Sequence, residues 1–174
     1  MAKIGRLARE AVRAVLAEPV TGFNARFAGV ALDYGLQPFS VDWSSASKQV
    51  WEAPLDPEDL DATSPARYPL VMLYCVASEN RNSRKFATFS GTVEVAVDLH
   101  LSWKGGNAPR DADLLADAIE DAVYQIVNEA DFQAVAGAPL LWNGDISLRR
   151  GPLLMGGEHW LRTLAFRLTF EVDA

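Results

Sequence analysis

The stretch Ala87-Thr88-Phe89-Ser90-Gly91-Thr92-Val93-Glu94-Val95-Ala96-Val97-Asp98-Leu99-His100-Leu101-Ser102-Trp103 determines how the rest of the chain is read. Its odd positions are apolar or small, and its even positions are mostly polar. Side chains alternate across a strand, so this segment reads as one long strand with an apolar face and a polar face. It runs roughly three times the usual strand length. A helix here would put Glu94 and Asp98 on the same side as Val95 and Leu99, so helix is rejected. A strand this long predicts a partner on each side and a helix on its apolar face.

The partners lie on either side in sequence. Leu70 to Ala77 is a continuous apolar run, which reads as a strand buried on both faces. Glu79 to Lys85 is polar and predicts the loop of a hairpin leading into the long strand. Arg81, Arg84 and Lys85 make it the densest positive cluster in the chain. Toward the C-terminus, Leu164, Phe166, Leu168, Phe170 and Val172 alternate with Ala165, Arg167, Thr169, Glu171 and Asp173, a second half-buried strand. Leu140-Leu141-Trp142 and Asp145 to Arg150 read as strand material around a turn at Asn143-Gly144.

Helical spacing appears in three places. Ile4, Leu7, Ala8, Ala11 and Val15 predict a helix over 3–17, stopped by Pro19. Residues 23–34 predict a shorter helix that Gly35 ends. Leu115, Ala118, Ile119, Ala122 and Ile126 predict the strongest helix, 112–130, with Asp111 as N-cap. Asp113, Asp117 and Asp121 recur at i+4 outside its stripe and read as a solvated face rather than a metal site. Strands and helices segregate along the chain, so the fold class is α+β. It has a mainly antiparallel sheet with a long hairpin, flanked by the N-terminal and central helices.

One segment resists this scheme. Residues 36–69 hold Pro38, Pro54, Pro57, Pro65 and Pro69, and 52–61 carry Glu52, Asp56, Glu58, Asp59 and Asp61 without a base among them. The chain reads as a single domain, 1–174, with an extended Pro- and Asp-rich arm at 36–69. Phe39, Trp43 and Trp51 are heavy apolar residues for a free arm. They predict burial against this domain or a neighbouring subunit, with a short strand near 41–43 or 48–51. An arm of this kind is expected to be separable from the folded body.

At 174 residues and 49% hydrophobic, the chain can build one sizeable core. No run approaches the length of a membrane span, so none is expected. Lys3 and Arg6 are followed by Glu10 and Arg13 rather than by an uninterrupted apolar run, so no secretory signal is expected. With Cys75 alone there is no internal disulfide. The net charge of −7 speaks against a protein that grips nucleic acid. It allows one that lets DNA slide past.

Catalytic signals are sparse. His100 and His159 are the only histidines, and His100 stands between Asp98 and Ser102 on one strand face, adjacent rather than convergent. The G-x-S-x-G, P-loop, G-x-G-x-x-G and H-E-x-x-H patterns are all missing. The expectation is no catalytic residue, no metal and no cofactor. An enzyme built from scattered carboxylates is the contrasting reading.

Taken as a layout, the chain resembles the small tail-terminator, tail-completion and neck proteins of tailed bacteriophages. The resemblance rests on the helix at 3–17, the Gly22-Phe23-Asn24-Ala25-Arg26-Phe27 segment and the apolar strand 70–77. It also includes the long strand 87–103, the acidic helix 112–130 and the closing strand 160–172. It implies an α+β subunit that forms a ring, often a hexamer, at the head-proximal end of the tail. Such a ring stops tube growth and joins tail to head. The implied partners are other copies of the chain, the major tail tube protein and a head–tail connector or adaptor. DNA would pass through the lumen without specific binding, and no membrane is involved. The implied place is the virion neck, after assembly in the host bacterial cytoplasm. Another adaptor or connector of a phage neck or tail-like machine is the alternative. Phe39, Trp43, Trp51, Arg81, Arg84 and Lys85 are the candidate subunit or partner contacts.

Overall fold

Along the chain run α1 (Ala2–Ala17), α2 (Phe23–Asp33), β1 (Val50–Trp51), β2 (Leu70–Asn80), β3 (Ser90–Lys104), α3 (Ala112–Glu129), α4 (Phe132–Ala136), β4 (Leu140–Arg150), β5 (Leu154–Gly156) and β6 (His159–Asp173). The structure, a computed structural model, describes residues 2–54, 68–81, 90–105, 107–137 and 140–173. The strands form one sheet in the order β1-β2-β3-β6-β4, with β5 also on β6. Among the described residues only the β1–β2 pairing is parallel. The fold is α+β with a mostly antiparallel sheet.

β3 is its centre. It pairs with β2 from Leu70↔His100 to Asn80↔Gly91, and with β6 from Ser90↔Asp173 to Lys104↔His159. The alternation puts Val93, Val95, Val97, Leu99 and Leu101 on one face beside Leu164, Phe166, Leu168, Phe170 and Val172 of β6, and all are buried. α1, α2, α3 and α4 each contribute to the core on this face. Gly91 is required in the hairpin, because a Cβ there would stand 1.8 Å from the Glu79 carbonyl oxygen.

α1 runs against β2 and β3, with Ala8, Ala11, Val12, Val15 and Leu16 inward. α2 stacks Phe23 on Phe27 at 5.3 Å between ring centroids. Gly35, at φ +70, follows it in the left-handed region that glycine favours. Gly22 opens α2 where a Cβ would stand 2.3 Å from the Glu18 carbonyl oxygen. The helix predicted over 112–130, α3, lies on this apolar face as expected, sharing it with α1, which runs close to β2 and β3, and with α2, against which α3 also packs. α3 reaches the sheet through Ile119, Val123 and Val127, which share a cavity of about 20 Å³ with Val97, Leu99, Phe166 and Leu168. Its lining is apolar and its volume is about that of one water, so it is a packing gap rather than a ligand site.

Other expectations need correction. Asn143-Gly144 is not a hairpin turn. β4 continues through it with a register shift between Trp142 and Ile146, and Gly144 takes φ +89. The extra residues are absorbed as a bulge, which bends the strand without reversing it. β2 is buried only in its first half, since Val76 to Asn80 are exposed. Asp111 occupies the N-cap position, but its side chain makes no capping bond; its carbonyl accepts from the Leu115 N–H.

The arm is part of the domain as far as residue 54. Val41, Gln49 and Val50 are buried, and Val41 exchanges two 2.8 Å bonds with the Asn24 side chain. Glu52 does have balancing bases: Arg13 at 2.7 Å and Arg9 at 3.0 Å, both from α1. Arg13 also donates to the Trp43 carbonyl at 2.8 Å. Residues 36–54 are therefore fastened to the body rather than separable from it, and 55–67 lie outside the described residues.

Candidate functional site

The second face of the sheet carries the even positions of β3, namely Thr92, Glu94, Ala96, Asp98, His100 and Ser102. They align with Thr163, Ala165, Arg167, Thr169 and Glu171 of β6, and with Ser147 and Arg149 of β4. At the β1–β2 end this face holds a small separate cluster, Leu70 and Met72 under Trp51, Tyr68 and Tyr74. No described helix residue joins that cluster. One face of the sheet is thus packed under helices, and the other is largely polar.

The polar face is organised around Asp98. Its carboxylate accepts from Arg167 Nη1 at 2.5 Å and from the Tyr74 hydroxyl at 2.7 Å. Arg167 also lies over the Tyr74 ring, 5.9 Å from its centroid. Burial, and then the bond to Asp98, push the Tyr74 phenol above its ordinary value. Beside this triad a shallow basin of about 450 Å³ is lined by Glu94, Asp145, Ser147, Arg149, Arg167 and Thr169, among others. On the described part of this face, Glu79, Glu94, Asp98, Asp145 and Glu171 outnumber Lys104, Arg149 and Arg167. With Arg81, which follows Glu79 by two positions opposite Ser90, the described charges of this face are close to balanced.

The histidines do not build a Ser-His-Asp relay with their strand neighbours. His100 Nδ1 meets Thr163 Oγ1 at 2.8 Å, and Ser102 Oγ meets His159 Nδ1 at 3.2 Å. Asp98 is engaged by Tyr74 and Arg167 instead. The carboxylates of α3 are tied down rather than simply solvated. Asp113 pairs with Arg162 at 2.6 Å, Asp117 and Glu120 share Arg150 at 2.7 and 2.5 Å, and Asp121 accepts from the Tyr34 hydroxyl. Each rung of the i+4 ladder has its own partner, so the ladder fastens α3 to the sheet and to the end of α2. Among the described residues no group of three His, Cys, Asp or Glu is placed to hold a metal ion.

The candidate contact residues fall in different places. Phe39 packs 4.6 Å from Phe27 and 6.1 Å from Phe23, centroid to centroid. Trp43 sits edge-on to Phe23 at 6.3 Å. Both are half-buried against the chain's own core. Trp51 joins the small cluster on the polar face, its indole donating to the Lys48 carbonyl at 3.0 Å. Arg81 is exposed just beyond β2, with its backbone N–H on the Ser90 carbonyl at 2.8 Å. Arg84 and Lys85 lie outside the described residues. The structure does not bring the aromatics and Arg81 together.

Sequence reasoning misses the Tyr74–Asp98–Arg167 triad. The available signal is a lone Arg167 on the polar side of an alternating strand, opposite the acidic side of β3. It also misses the exposed apolar residues Val76, Leu141, Leu154 and Met155. The chain matches no protein-family profile and no curated protein.

Proposed function

We propose that this chain is a structural subunit of a tailed-bacteriophage neck. It forms a ring, a hexamer as the resemblance implies, at the head-proximal end of the tail, capping tube growth and joining tail to head. The observation that carries this reading is the sheet with two unlike faces, one packed under helices and the other polar, in a chain of net charge −7. Lys and Arg contacts to phosphate are what hold DNA, so a net-negative chain lets it pass. The α+β frame agrees with the layout on which the resemblance rests. The partners in this role are further copies of the chain, the tail tube protein below and a connector or adaptor above. The role needs no catalytic residue, metal or cofactor.

The test is antibody labelling of intact particles seen by electron microscopy. Label at the junction of head and tail is expected. Label along the tail tube, on the capsid, or on no particle contradicts the reading.

A further inference from the structure

The last turns of α1 and α3, together with the short helix α4, wall a surface hollow of about 250 Å³. Its apolar lining is Ala14 and Val15 of α1, Ile126 of α3, Ala130, and Val135 of α4. Val15 and Ile126 are buried, whereas Val135 is 48% exposed. The hollow is smaller than the roughly 300–1,000 Å³ of sites for drug-sized ligands, and suits one long side chain.

Two independent features make this hollow negative. The first is the helix ends. The C-terminal end of a helix carries a partial negative charge, which a cation in or near the last turn offsets. Neither α1 nor α3 has a basic residue in its last turn, and α3 ends on Glu129. The second is the charged lining, which is Glu18, Glu129 and Asp131. Glu18 accepts on Oε2 from the Val20 N–H at 2.7 Å and the Thr21 hydroxyl at 2.8 Å, Glu129 accepts on Oε2 from Arg26, and Asp131 accepts on Oδ1 from the Ala134 N–H at 3.0 Å. A carboxylate has two oxygens with about four acceptor sites, so each keeps capacity for a further donor. Arg26 is the one described cation paired with any of the three.

We infer that this hollow receives a lysine side chain from a partner protein, its aliphatic stem against Val15, Ile126 and Val135 and its ammonium among the three carboxylates. Charge complementarity selects this occupant. An acidic or neutral side chain would leave the carboxylates and both helix ends unanswered. A bare metal ion would leave the apolar lining uncovered. A lysine meets both needs, because its stem packs on apolar surface while its head stays at the rim. Its three donors and lack of an acceptor match a rim of carboxylates. Such a contact is independent of where in a particle the protein acts.

The test is an NMR titration of the full chain with N-acetyl-lysine N-methylamide, using the norleucine counterpart as a probe of similar stem without the charge. Saturable shifts of the Val20, Thr21, Asp131 and Val135 amides are expected at millimolar lysine probe, weakened by added salt. The norleucine probe should give none. Val135→Lys supplies an ammonium at the hollow from the chain itself and should abolish the response. Glu129→Gln should weaken it about 2–5-fold. Both side chains are exposed, so circular dichroism should show each variant folded like the parent. No saturable shift with the lysine probe, an equal response to norleucine, or an undiminished response in Val135→Lys overturns the site. Saturation of the same amides by Mg²⁺ or by spermidine, without a response to the lysine probe, overturns the protein side chain as occupant.

Discussion

Arg167 reaches diagonally from β6 to Asp98 on β3, placing Nη1 2.5 Å from Oδ1 on the polar face of the sheet. The Asp98 side chain is only 13% exposed, and that guanidinium and the Tyr74 hydroxyl are its hydrogen-bond donors. Arg167→Ala leaves a largely buried carboxylate with one partner fewer. The expected loss is about 1–3 kcal/mol in urea unfolding. Arg167→Ala with Asp98→Asn should recover part of it, because the unpaired charge is then gone. Equal losses in the single and double variants would show that the pair is not coupled.

The same triad predicts a response to alkali. The Tyr74 phenol is pushed above its ordinary value of 10.0, first by burial and second by its bond to Asp98. A group raised in the folded state contributes stability below its ordinary value and loses it as pH rises through the folded one. Tyr74→Phe should therefore be less stable than the parent at neutral pH, and the difference should shrink above about pH 10. Melting curves of the two proteins across that range check it. A constant difference would contradict the assignment.

Legibility in the sequence differs from element to element. β3 and β6 print a two-residue period because each is buried on one side only, and α1 to α3 print their stripes for the same reason. β4 reads as a hairpin because Asn143-Gly144 is the strongest short-range signal for one, and nothing local distinguishes a turn from a bulge there. The outer half of β2 has no described strand beyond it, and Val76 there is exposed. Arg13 with Glu52, Arg150 with Asp117 and Arg167 with Asp98 join residues distant in sequence. No short-range spacing encodes such pairs. The polar face is legible as a face, but its triad is not.

Arg13 is the clasp between α1 and the arm, through Glu52 at 2.7 Å and the Trp43 carbonyl at 2.8 Å. Arg13→Ala should cost about 1–2 kcal/mol, since the site is partly exposed and screened. It should also speed proteolysis near residues 43–54. Limited proteolysis with mass spectrometry reads the cleavage sites, and an unchanged pattern would show that the aromatics alone hold the arm.

Val95 lies at 0% exposure on the packed face of β3. Val95→Asp places an unpaired charge in the core, which costs more than about 4 kcal/mol and should abolish cooperative unfolding. Thermal melting followed by circular dichroism decides this. A variant that melts like the parent would contradict the placement of the core.

The proposed role at the tail end stands or falls on electron microscopy of a lysate from phage lacking this chain. Headless tails of abnormal length beside unjoined heads are expected. Tails of normal length already joined to filled heads would contradict the role.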